Sequence, residues 1–309
     1  MSKPVTGFVS GFVSILGRPN AGKSTLLNAL VGMKVAIVAD KPQTTRTTIQ
    51  GVLTTPGAQI VFLDTPGIHK AETPIQKRMM HSVREALSER DLLLFLVDTT
   101  VPFSDQDRHA VDLLKKTDTP VLLVLNKTDQ LRTQETVLPL IEEYRKLHDF
   151  ADFLPVSALK HSNFEALKQA IVSRLPEGPM YFPEDHITDQ PERFIATELI
   201  REKILHETQQ EVPHSVAVMI DRWEEAPTIT RVYATIFVER EGQKGIIIGS
   251  KASMLKQIGI NAREDMEKLF GMKIFLQLHV KVQPHWREKP MFLNTLDWRT
   301  MADNKGDDT

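Results

Sequence analysis

The sequence predicts two domains: an α/β domain with a mostly parallel sheet and helices on both faces, then a smaller α+β unit. Three observations predict this. Gly17-Arg18-Pro19-Asn20-Ala21-Gly22-Lys23-Ser24 has the G-x-x-x-x-G-K-[ST] spacing of a phosphate-binding loop, set between the apolar run Phe12–Leu16 and the helix-like Thr25–Val31. Short apolar runs then alternate with amphipathic segments as far as Leu175. Finally, prolines at 176, 179 and 183 interrupt the chain, and the pattern beyond them differs. The implied organisation is a first domain over 8–176, a linker over 177–190, a second domain over 191–290 and a tail over 291–309.

In the first domain, Ile60–Asp64, Leu92–Asp98 and Val121–Asn126 are short and continuously apolar, as strands buried on both faces should be. Helices are expected near 72–90, 104–117, 134–148 and 163–174, with Ser104 and Thr133 as N-caps. Ile49–Leu53 and Ile60–Asp64 flank Thr54-Thr55-Pro56-Gly57, a turn short enough for an antiparallel hairpin at one edge. In the second domain a helix is expected over 191–208 and strands over 215–223 and 229–239. A turn at 241–243, helical stretches near 250–258 and 260–270, and a strand over 273–283 follow. The residues after Asp297 are polar and read as frayed.

The 309 residues carry a net charge of −2, so any surface for a polyanion must be local. Cysteine is absent, which excludes disulfides and thiolate metal sites. The stretch Gly7–Gly17 is too short to span a bilayer and runs straight into the phosphate loop, so it reads as the first strand. The histidines are scattered without ligand spacing.

The residue types in the loop suit polyphosphate. Gly17 and Gly22 allow the tight turn that aims successive N–H groups inward, and the following helix N-terminus adds positive potential. Lys23 is a mobile cation for terminal phosphates, and the Ser24 hydroxyl suits Mg²⁺. Asp64-Thr65-Pro66-Gly67 ends a strand, where the carboxylate can hold Mg²⁺ through water and the glycine lets an N–H approach the last phosphate. Asn126-Lys127-Thr128-Asp129 ends another. Its aspartate can accept from the N1–H and 2-amino group of guanine, two donors adenine lacks. Ser157-Ala158 follows the last strand, where an amide can meet the guanine oxygen. All four loops fall at carboxyl ends of strands, where α/β folds bind ligands.

Residues 17–158 resemble a translation-factor-type GTPase domain, and Lys41-Pro42-Gln43-Thr44-Thr45-Arg46 resembles the first switch loop of the Era family. That resemblance covers roughly 8–290. It implies a GTPase binding GTP and GDP through Gly17–Ser24, Asp64, Thr65, Pro66, Gly67, Ile68, Asn126, Lys127, Thr128, Asp129, Ser157 and Ala158. Gln43, Thr44, Thr45, Arg46 and Thr47 would form the first switch, with Ser24, Asp64 and one of Thr44, Thr45 or Thr47 on Mg²⁺. Lys23, Asn20 and Gly67 are the catalytic candidates. Many relatives place a glutamine where Ile68 stands, to orient the attacking water. Isoleucine cannot do so, which makes unaided hydrolysis slow and motivates K⁺, held by Asn20, as a source of positive charge; a plain turn role for Asn20 is equally open.

The second domain resembles a type II K-homology (KH) module, whose G-x-x-G loop clamps the backbone of single-stranded RNA. Here the loop is Gly249-Ser250-Lys251-Ala252, with alanine for the second glycine and a methyl that could crowd the RNA. Residues 240–290 hold ten Lys or Arg against five Asp or Glu, which suits phosphate tracking with Lys244, Lys251 and Lys256 as candidates. Ile248, Met254, Leu255 and Ile258 are candidates for the groove floor or for plain core, and Trp286 for a base stack or a strand cover. The family implies the 3′ end of 16S ribosomal RNA and the 30S subunit as partners, a monomer, and a cytoplasmic place with weak peripheral contact with the inner membrane. A tRNA-modification GTPase would call for a further catalytic domain or cysteine chemistry, and neither is seen in this sequence.

Overall fold

The computed structural model describes residues 7–88, 90–209 and 212–297. They form two compact units. One holds the residues through Ala36, Thr45–Ala71 and Arg78–Asp189; the other holds Ile37–Thr44, Glu72–Lys77 and the chain from Gln190.

The first unit has a six-stranded sheet. β1 is Val9–Gly17, β2 Ile49–Thr55, β3 Ala58–Asp64, β4 Leu92–Asp98, β5 Val121–Asn126 and β6 Asp152–Pro155, in the order β2-β3-β1-β4-β5-β6. Only β2 runs antiparallel to its neighbour, as the Pro56-Gly57 turn requires. Every residue of β3 and of β5 is buried, which is why both read as unbroken apolar runs. The helices are α1 (Lys23–Val31), α2 (Pro74–Glu85), α3 (Asp105–Leu114), α4 (Leu138–Arg145) and α5 (Phe164–Val172). Ser104 caps α3 in a capping box with Asp107, as its position suggested. The helix expected over 134–148 begins instead as a 3₁₀ turn at Gln134–Val137, with Pro139 at the start of the α-helix proper.

The residues expected to link the domains are a strap fixed to the first unit. The Gln59 amide, fully buried, accepts the N–H groups of Tyr181 and Phe182 at 2.7 and 3.0 Å and donates to Phe182 O at 2.9 Å. Val52 N–H reaches Ile187 O at 2.7 Å, and Thr188 Oγ1 donates to Gln50 O at 2.8 Å. These bonds satisfy part of the open edge of β2, an edge that would otherwise invite pairing.

The second unit contains α6 (Glu192–Glu207), α7 (Val212–Ser215), β7 (Ala217–Glu225), β8 (Thr230–Val238), α8 (Glu241–Ile248), α9 (Ser253–Phe270), β9 (Ile274–Val282) and α10 (Pro290–Thr295). The sheet order is β7-β8-β9, with β8 and β9 parallel. Its core gathers Leu199, Ile200, Val232, Ala234, Ile236, Ile247, Ile258 and Met266. Three expectations are corrected. The turn at 241–243 is the first turn of α8, because the Gln243 side chain accepts the N–H groups of Glu239 and Arg240 at 2.9 and 3.1 Å. The stretches 250–258 and 260–270 join as α9, since Gly259 costs a helix only about 1 kcal/mol and does not stop it. The expected tail carries α10, whose Leu293 is buried and whose Phe292 ring lies 5.1 Å from Phe237. The part of the tail expected to fray, beyond Asp297, lies outside the described residues. Trp286 is a structural residue: it is fully buried and its indole N–H donates to Ser215 O at 2.8 Å.

The stretch Ile37–Thr44 is held by α6. Glu202, almost wholly buried, accepts Val38 N–H at 2.9 Å, His206 Nε2 lies 2.8 Å from Val38 O, and Arg201 donates to Thr44 O.

Candidate nucleotide site and nucleic-acid groove

The phosphate loop is fixed by close backbone approach. Gly17 has φ 145°, and a Cβ there would lie 2.3 Å from Leu96 O; Gly22 has φ 94°, and its Cβ would lie 2.3 Å from Asn126 Nδ2. Neither position accepts a side chain. Asn20 sits in the left-handed region at φ 63°, the conformation its residue type tolerates in turns. Lys23 is buried and curls over the loop, donating to Arg18 O at 2.9 Å and Gly17 O at 3.3 Å. Burial pulls its pKa down to about 8, against the opposing pull of Asp64. Arg18 turns away from the phosphate side. Its guanidinium reaches Asp107 Oδ2 at 2.7 Å, Ser104 Oγ at 3.1 Å and Gln106 Oε1 at 2.6 Å, anchoring the loop to the start of α3.

Three oxygens from separate segments converge beside Lys23. Ser24 Oγ donates to Asp64 Oδ2 at 2.6 Å and lies 2.9 Å from Thr45 Oγ1, which is itself 3.4 Å from Asp64 Oδ2. Burial pushes the Asp64 pKa up to about 6, while Lys23 and the hydroxyl donors pull it back. Among the described residues the buried Asp64 Oδ1 finds no hydrogen-bond partner. A hard, oxygen-seeking cation such as Mg²⁺ fits this donor set, and the orphaned carboxylate oxygen is what such an ion or its waters would satisfy. Of the threonine candidates, Thr44 spends its hydroxyl on Lys41 O at 2.6 Å and Ala39 O at 3.2 Å; Thr45 is the one brought to Ser24 and Asp64.

The segment after Asp64 lies against the phosphate loop. A Cβ on Gly67 would come within 2.6 Å of Pro19 N, and Ile68 N–H donates to Gly17 O at 3.0 Å. Ile68 is a core residue packed with Leu16 and Met80, not a side chain facing a reacting water. Thr65 donates to Ile15 O at 2.8 Å.

At the far end, Asn126 binds two loops at once: Nδ2 donates to Ala21 O at 2.8 Å, and Oδ1 accepts Ala158 N–H at 2.9 Å. Lys127, left-handed at φ 67°, pairs with Asp98 at 2.6 Å. Thr128 Oγ1 donates to Val156 O at 2.9 Å. Asp129 is exposed, with Ser157 Oγ donating to its Oδ1 at 2.5 Å. The amides of Ser157 and Ala158, expected to meet the base, make bonds within the protein here. Ala158 N–H is used by Asn126, and Ser157 N–H points to Ser162 O at 3.3 Å.

In the second unit, Gly249 has φ 70°, and a Cβ there would meet Met254 N and Cβ at 2.9 and 2.7 Å. Lys251 (φ 49°) and Ala252 (φ 60°) are both left-handed, so the alanine occupies a conformation that glycine adopts without strain. Beside the loop lies a groove of about 370 Å³ lined by Ala252, Leu255, Lys256, Arg263, Leu276 and Leu278, among others. Ile258, a candidate for its floor, is wholly buried core. Lys244 on α8 is not in the lining, whereas Arg263 and the β9 leucines, not singled out beforehand, are. Their signal was the strict alternation of Ile274–Val282, with one apolar set facing helix and groove.

A phosphate loop, a buried acid beside it, a guanine-suited aspartate and a KH fold together define a guanine-nucleotide hydrolase joined to an RNA-binding module. Residues 12–127 match the family of 50S ribosome-binding GTPases, and residues 211–287 match the KH domain family. The chain is 48% identical over 295 residues to the GTPase Era of Rippkaea orientalis, covering 95% of this chain and 93% of that protein. It superposes on a single-residue variant of Aquifex aeolicus Era bound to GDP·AlF4⁻ with a TM-score of 0.91 at 40% identity, covering 94% of this chain and 99% of the other. An Era structure with MgGDPNP and nucleotides 1506–1542 of 16S ribosomal RNA gives 0.92, with the same identity and coverage. The chain belongs to the Era family of GTPases.

Proposed function

We propose that this protein is a GTP-hydrolysing switch that holds the 3′ end of 16S ribosomal RNA and acts in assembly of the 30S subunit. The observation that carries the reading is the convergence of Ser24, Thr45 and Asp64 oxygens beside Lys23, within a chain whose other unit has a KH groove. In this reading Lys23 leaves its loop carbonyls for the terminal phosphates, Ser24 and Thr45 ligate the metal, and Asp64 acts through water. Mg²⁺, held there, would supply positive charge to offset that of the phosphate oxygens. Gly67, with no side chain against Pro19, lets its own amide approach the last phosphate. Because Ile68 is core, no side chain at that position orients the water, so turnover is slow until further positive charge arrives. We assign that charge to K⁺ held by Asn20; equal turnover in K⁺ and Na⁺ at matched ionic strength would refute the assignment.

Base choice rests on Asp129, which accepts from the N1–H and 2-amino donors of guanine, with the Ser157-Ala158 loop beside it. In the second unit Gly249–Ala252 approaches the RNA backbone, Lys251 and Lys256 meet phosphates, and Leu255, Leu276 and Leu278 receive unstacked bases. The two activities are joined through the chain itself. Thr45 sits at the proposed metal site, while its neighbour Thr44 and the preceding residues are held by Arg201, Glu202 and His206 of α6. Among the described residues no helix is long and apolar enough to cross a membrane. The test is crosslinking of the GTP-bound protein to cellular RNA with mapped peptides. Crosslinks from Lys251- or Lys256-bearing peptides to the small-subunit RNA 3′ end are expected; crosslinks that avoid these peptides would overturn the reading.

A further inference from the structure

The sheet of the second unit has two faces, and only one is covered by the helices that form its core. Val232, Ala234 and Ile236 of β8 point into that core and are wholly buried. Their alternates Arg231, Tyr233, Thr235 and Phe237 point the other way, in register with Phe275, Gln277, His279 and Lys281 of β9. β7 adds Arg222 opposite Tyr233 and Glu224 opposite Arg231. One end of this outer face is closed, because Phe292 of α10 lies 5.1 Å from Phe237 and Thr295 Oγ1 lies 3.8 Å from Met219 Sδ.

The other end is open and aromatic. Phe275 is 43% exposed, although a phenylalanine at an ordinary solvent-facing strand position gains nothing from water contact. Its ring centroid is 6.0 Å from that of Tyr233, and the Arg222 guanidinium stands 4.4 Å from the Tyr233 centroid. The carboxylates on this face are occupied: Asp221 accepts from Thr235 at 2.7 Å, and Glu224 pairs with Arg222 at 3.2 Å. Arg231, in register with Phe275, has no carboxylate partner among the described residues, which leaves a second cation, beside Arg222, at the pair of rings. Rings bordered by cations on an open sheet suit the π-faces and phosphates of an unpaired nucleic-acid strand.

The face is also continuous with the groove. β9 is an edge strand, and it supplies Leu276 and Leu278 to the groove while its alternates Phe275 and His279 face outward; Gln277 borders both. A strand leaving the groove therefore meets this face after crossing a single β-strand.

We propose that Tyr233, Phe275 and Arg231 form a stacking platform for single-stranded RNA that continues out of the groove, a second contact surface beyond the G-x-x-A loop. The proposal rests on the reading that the groove holds RNA, and the test separates the two. The full-length protein, loaded with a non-hydrolysable GTP analogue, is titrated against nested oligonucleotides from the 16S RNA 3′ end. One has about four nucleotides, the length a KH groove clamps, and the others extend it at either end to about eight to ten. Phe275→Ala, at an exposed position that keeps the fold, should weaken one extended oligonucleotide about five- to hundredfold and leave the short one unchanged; Phe275→Trp should restore it. Arg231→Ala should reduce the slope of log affinity against log salt by about 0.7 for that oligonucleotide only. If Phe275→Ala leaves every length unchanged while Lys251→Ala weakens all of them, the groove stands and the platform is refuted. Equal weakening of short and long by Phe275→Ala also refutes it. If the wild type binds none of the oligonucleotides, the RNA reading itself fails.

Discussion

Asn126 spends both polar atoms of its side chain inside the protein, and that makes it the most demanding position in the nucleotide site. Its amide holds Ala21 O of the phosphate loop and Ala158 N–H of the loop beside Asp129, at 2.8 and 2.9 Å, with 2% of the residue exposed. Asn126→Ala removes both bonds and strands a buried carbonyl and a buried N–H. Each orphaned group costs about 1–3 kcal/mol, so the pair costs on the order of 2–6 kcal/mol. Part of that is lost stability. The part expressed as loop misplacement appears in binding, where every 1.4 kcal/mol is about tenfold. Titration with a fluorescent GDP analogue should show affinity reduced about tenfold or more, alongside a lowered melting temperature. Asn126→Asp should be no better: it keeps the acceptor for Ala158 but sets an oxygen against Ala21 O. An Asn126→Ala variant with GDP affinity and melting temperature close to wild type would refute the claim that this side chain fixes the relative positions of the two loops.

Two further outcomes follow from the strain and burial already described. Ala252→Gly should raise the melting temperature slightly, because a left-handed alanine costs about 1–2 kcal/mol, more than the roughly 0.4–1 kcal/mol lost to glycine's freedom in the unfolded chain. It should also tighten RNA in an oligonucleotide titration by removing a methyl from the groove; weaker binding would mean that the methyl is a contact. In nucleotide-free protein without Mg²⁺, stability should be lowest between about pH 6 and 8. The folded state holds the Asp64 proton up to about 6, so stability falls as pH rises from 3.8 through 6. It has lost the Lys23 proton above about 8, so stability returns as pH rises toward 10.5. Moving a carboxyl from 3.8 to about 6 corresponds to about 3 kcal/mol, and Asp64→Asn should flatten the acidic arm in urea-midpoint measurements across pH. Identical profiles for wild type and variant would contradict the buried-pair account.

What was legible in the sequence was mostly local. A phosphate loop needs its glycines at fixed spacing, and a strand buried on both faces must be continuously apolar, so Gly17–Ser24, β3 and β5 can be read directly. What was not legible depends on distant partners. Spacing alone does not separate Thr44 from Thr45, because the choice depends on Ser24 and Asp64 arriving from elsewhere in the fold. That Arg18, early in the loop, points away could be read from its place, but its partner Asp107, 89 residues on, could not. Prolines near 176–183 break helices but say nothing about Gln59 strapping the chain to the sheet. The stretch 241–243 reads as a turn, and a capping Gln243 with a buried Ile247 makes it helix instead. The groove's leucines alternate visibly along β9, yet only the packing of α9 shows that they line a groove with Arg263.

The central claim is that this is a switch specific for guanine nucleotides, with Asp129 reading the base. Hydrolysis of GTP and XTP by wild type and Asp129→Asn, measured side by side, tests it most directly. The carboxylate suits the N1–H and 2-amino donors of guanine, whereas an amide can donate to the 2-oxo group of xanthine. The account predicts that the wild type prefers GTP and the variant XTP. An Asp129→Asn protein that still prefers GTP would contradict it.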